Sequence, residues 1–351
     1  MSFPLQFRVE ERPIGGSAPT YVIAEAGSNH DRDLDQARRL IDVAADAGAD
    51  AVKFQTFRAD AIVAETPTRA KYLDGILPDG QTRSELFRQL ELPREWHATL
   101  FEHATQRGID FLSTPFDHEA VDLLDELGVK AFKIATYELW HLPLIRDVAS
   151  RGRPIMCSTG MADMAAVQAA VDVVGEAGND GLILLHCVVN YPPPFADLNL
   201  RAIETMRQAF GVPVGWSDHT PGWLAPVVAT SLGAAVIEKH FTTDRGRPGP
   251  DHRFALEPGE LAEMVRAIRD TEAALGDGVK RRAPAEDDLY VTARRSLFAA
   301  RVIESGEVIG GNDVAILRPG TGLEVADIDK VIGRTARRRI ERHEPLSWDM
   351  F

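Results

Sequence analysis

Eight times between Tyr21 and about Gly276 a short aliphatic run recurs, usually followed by an amphipathic helical pattern, and this alternation narrows the fold more than any other feature. The runs occupy residues 21–25, 51–54, 110–113, 131–134, 154–158, 181–186, 212–215 and 235–239. They are short and apolar throughout, as strands covered on both faces are. Helical patterns occupy 34–47, 121–127, 163–177, 200–210 and 260–275, with another at 95–108 inside a long connection after the second run. Eight such units in about 250 residues predict an α/β chain folded as a (β/α)8 TIM barrel, with an open doubly wound sheet as the competing arrangement.

The ends of the runs carry the chemistry. They finish at Glu25, at Lys53 with Gln55, at Ser113 with Thr114, at Lys133, at Ser158, at His186, at Ser217, Asp218 and His219, and at Glu238, Lys239 and His240. A single Ser or Thr there is as often a helix cap. Eight polar ends out of eight point instead to an active site at the barrel's C-terminal face.

The net charge of −14 argues against nucleic acid or an anionic membrane as partner. An anionic substrate then needs a local cluster of cations. Two cysteines, Cys157 and Cys187, are too few for a disulfide scaffold and read as buried small hydrophobes. The mixed, charged N-terminus and the lack of an apolar run near 20 residues lead us to expect a cytoplasmic protein with no membrane partner. We expect residues 1–280 to form the barrel, 281–292 a polar linker, and 293–351 a small β-rich unit. In that unit Ile303-Glu304-Ser305-Gly306-Glu307 is echoed by Ile340-Glu341-Arg342-His343-Glu344, as if two corners were equivalent.

The run YVIAEAGSNHDRDLDQARRLIDVAADAGADAVKFQTF resembles the opening of the sialic acid (N-acetylneuraminate) synthase family. So do FLSTPFD, FKIATYEL, CSTGMA, LLHCVVNYPPPF, GWSDHT, VIEKHFTTDRGRPGPDH, RRSLFAAR and LRPGTG, in order, over nearly the whole chain from residue 20. The resemblance implies a (β/α)8 barrel followed by an antifreeze-like (SAF, β-clip) domain, in a homodimer whose C-terminal domains cover the partner's active site. It implies condensation of phosphoenolpyruvate with an N-acylated hexosamine such as N-acetylmannosamine. Carbon 3 attacks the open-chain aldehyde, water adds at carbon 2, and phosphate leaves by C–O cleavage to give an N-acetylneuraminate-type nine-carbon acid. A legionaminic or pseudaminic acid synthase, or one for a related surface-polysaccharide sugar, is the first alternative; a Schiff-base aldolase using Lys133 is a distant one.

Site residues follow from the same resemblance. Lys53, Thr114, Lys133, Thr136 and Ser158 match phosphoenolpyruvate-binding positions, and a lysine ending a buried strand is costly unless it meets an anion. Glu25 and Glu138 match catalytic carboxylates on the amino-sugar side. Gln55, Asp251 and Arg318 are sugar contacts, Arg318 reaching across the dimer. His219 and His240 are metal ligands, for which a Mn2+-like ion suits better than a closed zinc site, Mg2+ or Co2+ being alternatives. One departure stands out: Val189 occupies a position that is polar in several family members, so either Asn190 beside it takes over that phosphoenolpyruvate contact with a shifted backbone or the contact is absent here. His30 is expected to support the site, Tyr191 to shape the sixth loop, and residues 136–141 and 66–78 to set sugar selectivity. The basic run at 334–339 reads as a solvated face or an intersubunit contact.

Overall fold

The computed structural model describes residues 3–9, 12–64 and 82–351; residues 66–78, expected to bear on selectivity, lie outside these. The chain forms two compact units, residues 1–276 and 277–351.

The first unit opens with an antiparallel hairpin, β1 (Gln6–Val9) and β2 (Arg12–Gly15). Eight parallel strands follow: β3 (Tyr21–Gly27), β4 (Ala51–Thr56), β5 (Asp110–Pro115), β6 (Phe132–Ile134), β7 (Ile155–Ser158), β8 (Leu182–Cys187), β9 (Val214–Asp218) and β10 (Val236–His240). Their order is β5-β4-β3-β10-β9-β8-β7-β6, with first and last strands paired by the register Val236↔Tyr21 to His240↔Glu25. Strands β5 and β6 close the ring by proximity. This is the nearly closed (β/α)8 barrel that the alternation predicted.

The helices are α1 (Leu34–Asp46), α2 (Ala59–Ile62), α3 (Arg83–Leu90), α4 (His97–Arg107), α5 (His118–Leu127), α6 (Leu142–Ser150), α7 (Met164–Glu176), α8 (Ala202–Phe210), α9 (Leu224–Ser231) and α10 (Pro258–Leu275). Caps explain several starts. Asp33, Asp117 and Asp163 each accept a backbone N–H from the first turn. Helices α6 and α9 are absent from the sequence reading: each is short and carries a proline, which the first turn tolerates because its N–H has no intrahelical partner.

The period of two divides every barrel strand between two cores. Tyr21, Ile23, Ala51, Leu112, Ala131, Met156, Ile183, Leu185 and Val236 fill the interior, with Val9 and Ile14 of the hairpin joining them. Val22, Ala24, Val52, Phe54, Phe111, Ile134, Cys157, Leu184, Trp216 and Ile237 pack outward against the helices. Two residues beyond each interior apolar position lies the barrel mouth. The same parity therefore aims Glu25, Lys53, Thr114, Lys133, Ser158, Cys187 and Glu238 inward.

The second unit pairs β11 (Ser296–Ala299) with β12 (Val314–Leu317) and adds short helices α11 (Asp287–Thr292) and α12 (Ile328–Val331). Its small core is Leu297, Ala299, Ile303, Ile309, Val331, Ala336, Ile340, Leu346, Met350 and Phe351. Helix α11 lies within the stretch expected as linker. Among the described residues no helix is long and apolar enough to cross a membrane.

Candidate active site

Four buried charges meet at the mouth. Lys53 Nζ lies 2.7 Å from Glu25 Oε2 and 3.9 Å from Glu238 Oε2. Lys133 Nζ lies 3.8 Å from the same Glu238 oxygen. Hydroxyls complete the lysines: Lys53 donates to Thr114 Oγ1 at 3.1 Å, and Lys133 donates to Ser158 Oγ at 2.6 Å. Ser217 Oγ donates to Glu238 Oε1 at 3.1 Å, while Glu238 Oε2 is buried without a hydrogen bond. Two cations with ordered hydroxyls at the mouth of the barrel have the chemistry to bind a phosphate or carboxylate.

Their environments separate the two carboxylates. Burial pushes the Glu25 carboxyl up to about 7 against the opposing pull of Lys53. Burial pushes Glu238 the same way, but Lys133 and Lys53 together hold it below the usual range. Burial draws Lys133 down, partly offset by Glu238, whereas Glu238 and Glu25 outweigh burial at Lys53 and hold it up. One carboxylate able to carry a proton near neutrality beside one that stays ionised is an acid–base arrangement.

The histidine pair sits alongside. The rings of His219 and His240 are 5.5 Å apart, and Tyr191 packs on His219 at 4.5 Å. Burial lowers both histidines, so both are neutral. His219 donates its Nδ1–H to the Val188 carbonyl at 2.9 Å, which leaves the Nε2 lone pair free of that proton. His240 Nδ1 is buried without a hydrogen-bond partner, 3.8 Å from Asp251 Oδ2. Two neutral imidazoles, one with an orphaned nitrogen, fit a divalent ion whose other ligands come from substrate and water. Among the described residues no group of three or more His, Cys, Asp or Glu is arranged to hold a metal, so a closed protein cage is absent there. Behind the pair, Asp218 and Lys239 point outward from the barrel and form a buried ion pair that ties the ends of β9 and β10.

Of the other expected residues, Gln55 donates Nε2–H to Glu25 Oε1 at 2.9 Å. Asp251 Oδ2 is 3.3 Å from Ser28 Oγ, and burial raises its carboxyl. Glu138 is half-buried at the end of a single 3-10 turn after β6, raised to about 6 by burial alone. Thr136 lines the mouth, but its Oγ1 accepts the Gly160 N–H at 3.1 Å and lies 3.1 Å from Cys187 Sγ. Asn190 does not join the cluster: it is exposed, and its Oδ1 accepts the Tyr191 N–H at 3.0 Å. Val189 turns in instead, its Cγ2 lying 2.6 Å from where a Cβ on Gly160 would stand. Arg318 is exposed at the end of β12 in the second unit. His30 faces away from the cluster, accepting the Arg32 N–H on Nδ1 and packing near Phe54. Tyr137 and Trp140 are each 50% exposed on the loop after β6. In the basic run, Arg338 and Arg339 pair with Glu344 and Glu341.

Glu238 and Tyr191 were missed as site residues. The signal for Glu238 was the strand parity, which turns Glu238 and His240 inward and Lys239 outward. Tyr191 was expected only to shape the sixth loop, and no local pattern signals its packing on His219.

Residues 40–280 match the NeuB family profile and residues 294–351 that of the SAF domain. The chain belongs to the NeuB family. This NeuB-family chain is 42% identical to N,N'-diacetyllegionaminic acid synthase of Legionella pneumophila, over 96% of each chain. It is 39% identical to the Campylobacter jejuni enzyme of the same name, over 93% of this chain and 98% of that one. Among solved structures it resembles N-acetylneuraminic acid (sialic acid) synthetase from Leptospira borgpetersenii, crystallised with citrate. There the TM-score is 0.72 at 33% identity, covering 82% of this chain and 96% of the other. These relatives are sugar-acid synthases, which supports an enzyme of that kind.

Proposed function

We propose that this NeuB-family chain condenses phosphoenolpyruvate with an N-acylated amino-hexose, forming a nine-carbon 2-keto sugar acid of the N,N'-diacetyllegionaminic type and releasing phosphate. The observation that carries it is the buried cluster of Lys53, Lys133, Glu25 and Glu238 beside the paired imidazoles of His219 and His240. The N-acetylneuraminate product first expected moves to second place. Two legionaminic relatives, at 42% and 39% identity, are more alike in sequence than the sialic acid synthetase at 33%.

In this assignment the phosphate and carboxylate of phosphoenolpyruvate replace Glu238 as the shared partner of Lys53 and Lys133. Thr114 and Ser158 donate from either side. Holding the enol between two fixed cations aims carbon 3 at the acceptor and supplies charge complementarity as phosphate departs. Gln55 and Asp251 hold the acceptor's polar groups, and Glu25 holds or moves a proton at its aldehyde end. His219 and His240 would hold a Mn2+-like ion, which polarises the aldehyde when bound. The small second unit is assigned to a homodimer in which Arg318 reaches the partner's acceptor.

The test is product identification by mass spectrometry after offering phosphoenolpyruvate with a panel of N-acylated hexosamines, including mono- and diacetamido acceptors. Preference for a diacetamido acceptor is expected. Turnover confined to N-acetylmannosamine would return the N-acetylneuraminate assignment to first place, and no turnover with any acceptor would refute the synthase.

A further inference from the structure

The excursion after β10, residues 242–252, is fastened to the turn after β3 by one carboxylate. His252 is buried, its Nε2 lying 2.9 Å from Asp31 Oδ1 and its Nδ1 2.7 Å from Thr242 Oγ1. A carboxylate only accepts, so Nε2 carries the hydrogen. The other oxygen of Asp31, Oδ2, accepts from Arg247 Nε at 2.7 Å. Asp31 thus grips the excursion at two points five residues apart.

Backbone conformation agrees with that grip. Asp31 and Arg32 hold φ of +52° and +51°, a region costly for L residues but more open to Asp than to most. Gly249 has φ +143°, and a Cβ there would stand 2.9 Å from His252 Cδ2, so the chain passes the histidine only as glycine. The hydrogen bonds to Asp31 hold both sides of this contact together.

What the grip places is Asp251, the residue before His252. Its Oδ2 stands 2.9 Å from where a Cβ on Gly27 would be, in a gap also bordered by Glu25 Oε1 and His240 Cε1 at 3.5 Å each. Gly27 leaves that gap open. We infer that Asp31 is a positioning residue for the amino-sugar acceptor: through His252 and Arg247 it sets the Asp251 carboxylate over Gly27, where it accepts hydrogen bonds from the acceptor's hydroxyl or amide groups. This rests on the synthase function proposed above.

Two variants of the full-length, metal-replete protein separate the carboxylate from the backbone. Asp31→Gly accepts the positive φ and removes the acceptor oxygens; Asp31→Asn accepts it and keeps one oxygen for His252. Asp31→Gly should raise the acceptor KM about tenfold to hundredfold, the scale of a displaced supporting group, with the phosphoenolpyruvate KM within about twofold. Asp31→Asn should recover most of that loss. Equal change in both KM values, or none, would overturn the acceptor role. Hydrogen–deuterium exchange gives a readout independent of turnover: peptides spanning 243–252 should exchange faster in Asp31→Gly, with the barrel strands unchanged. Unchanged exchange there would overturn the grip itself. A wild-type enzyme inert toward every acceptor would overturn the synthase function and the acceptor role with it, while exchange would still decide the grip.

Discussion

Glu25 shows how one side chain acquires a role from its surroundings. Burial and the neighbouring Glu238 raise it, and Lys53 at 2.7 Å restrains the rise, leaving it at about 7. Glu25→Gln keeps the shape and the Gln55 contact but cannot carry the proton. Its turnover should fall by about 10²-fold or more, with phosphoenolpyruvate affinity nearly intact. Rapid-quench turnover paired with calorimetric binding checks this, and a wild-type rate would remove Glu25 from the chemistry. Two other buried histidines govern stability instead. His97 donates from Nδ1 to the Arg94 carbonyl at 3.1 Å, and its Nε2 lies 2.7 Å from Thr56 Oγ1. Burial lowers His97 and His30 to about 4 each. A base depressed in the fold contributes stability that is fully present above its unfolded value and lost as pH falls toward the folded one. From an ordinary value near 6.5 to about 4, each is worth roughly 3 kcal/mol. Urea midpoints of the apoprotein should therefore drop between pH 6.5 and 4, and His97→Gln should flatten that drop.

At the scale of elements, strand parity places the site and its support on opposite faces of the same strands. On β10, Glu238 and His240 face the mouth, while Lys239 faces out and pairs with Asp218 of β9. Lys239→Met leaves Asp218 buried with only Thr220 to satisfy it, and should cost about 3–5 kcal/mol of stability. Because that pair joins the two histidine strands, the same variant should bind Mn2+ more weakly than wild type under conditions where both are fully folded. Thermal unfolding and metal titration separate the two effects; undiminished metal affinity would leave the ion pair a purely structural tie. The echoed fragments of the second unit are also elements decided by sequence. Ile303 and Ile340 bridge one another, Glu307 accepts the Glu304 N–H, and Glu344 accepts the Glu341 N–H. The third following residues, Gly306 and His343, both take positive φ, so the two corners are equivalent in backbone as well as in spelling.

For the whole molecule, the proposal is that each acceptor site takes residues from two chains, the His219 and His240 pair from one and Arg318 from the other. Excess chelator should abolish turnover of metal-stripped protein, and Mn2+ or a similar divalent ion should restore it, since two imidazoles facing an aldehyde do nothing without the ion. Arg318→Ala should weaken the amino sugar more than phosphoenolpyruvate without unfolding the barrel. Mixing Arg318→Ala with His240→Ala subunits should regenerate one competent site in each mixed dimer. If a mixture with verified subunit exchange shows no more activity than the two variants apart, Arg318 acts within its own chain or not at all.

The sequence alone determined an α/β chain with eight doubly buried strands, since each must read as an apolar run, and it favoured a barrel over an open doubly wound sheet; the crossovers were less legible, because α6 and α9 are short and carry a proline. It also determined which strand ends bear lysine, glutamate and histidine, for parity is a local property. Tertiary structure decided which charges share a partner. That Lys53 and Lys133 both answer to Glu238 depends on three strands meeting across the ring, and no spacing along the chain encodes it. It likewise turned Asn190 to solvent and brought Val189 against Gly160, since the loop after β8 is placed by what it packs on. The grip of Asp31 on His252, 221 residues away in sequence, exists only once the barrel's first and last strands have paired.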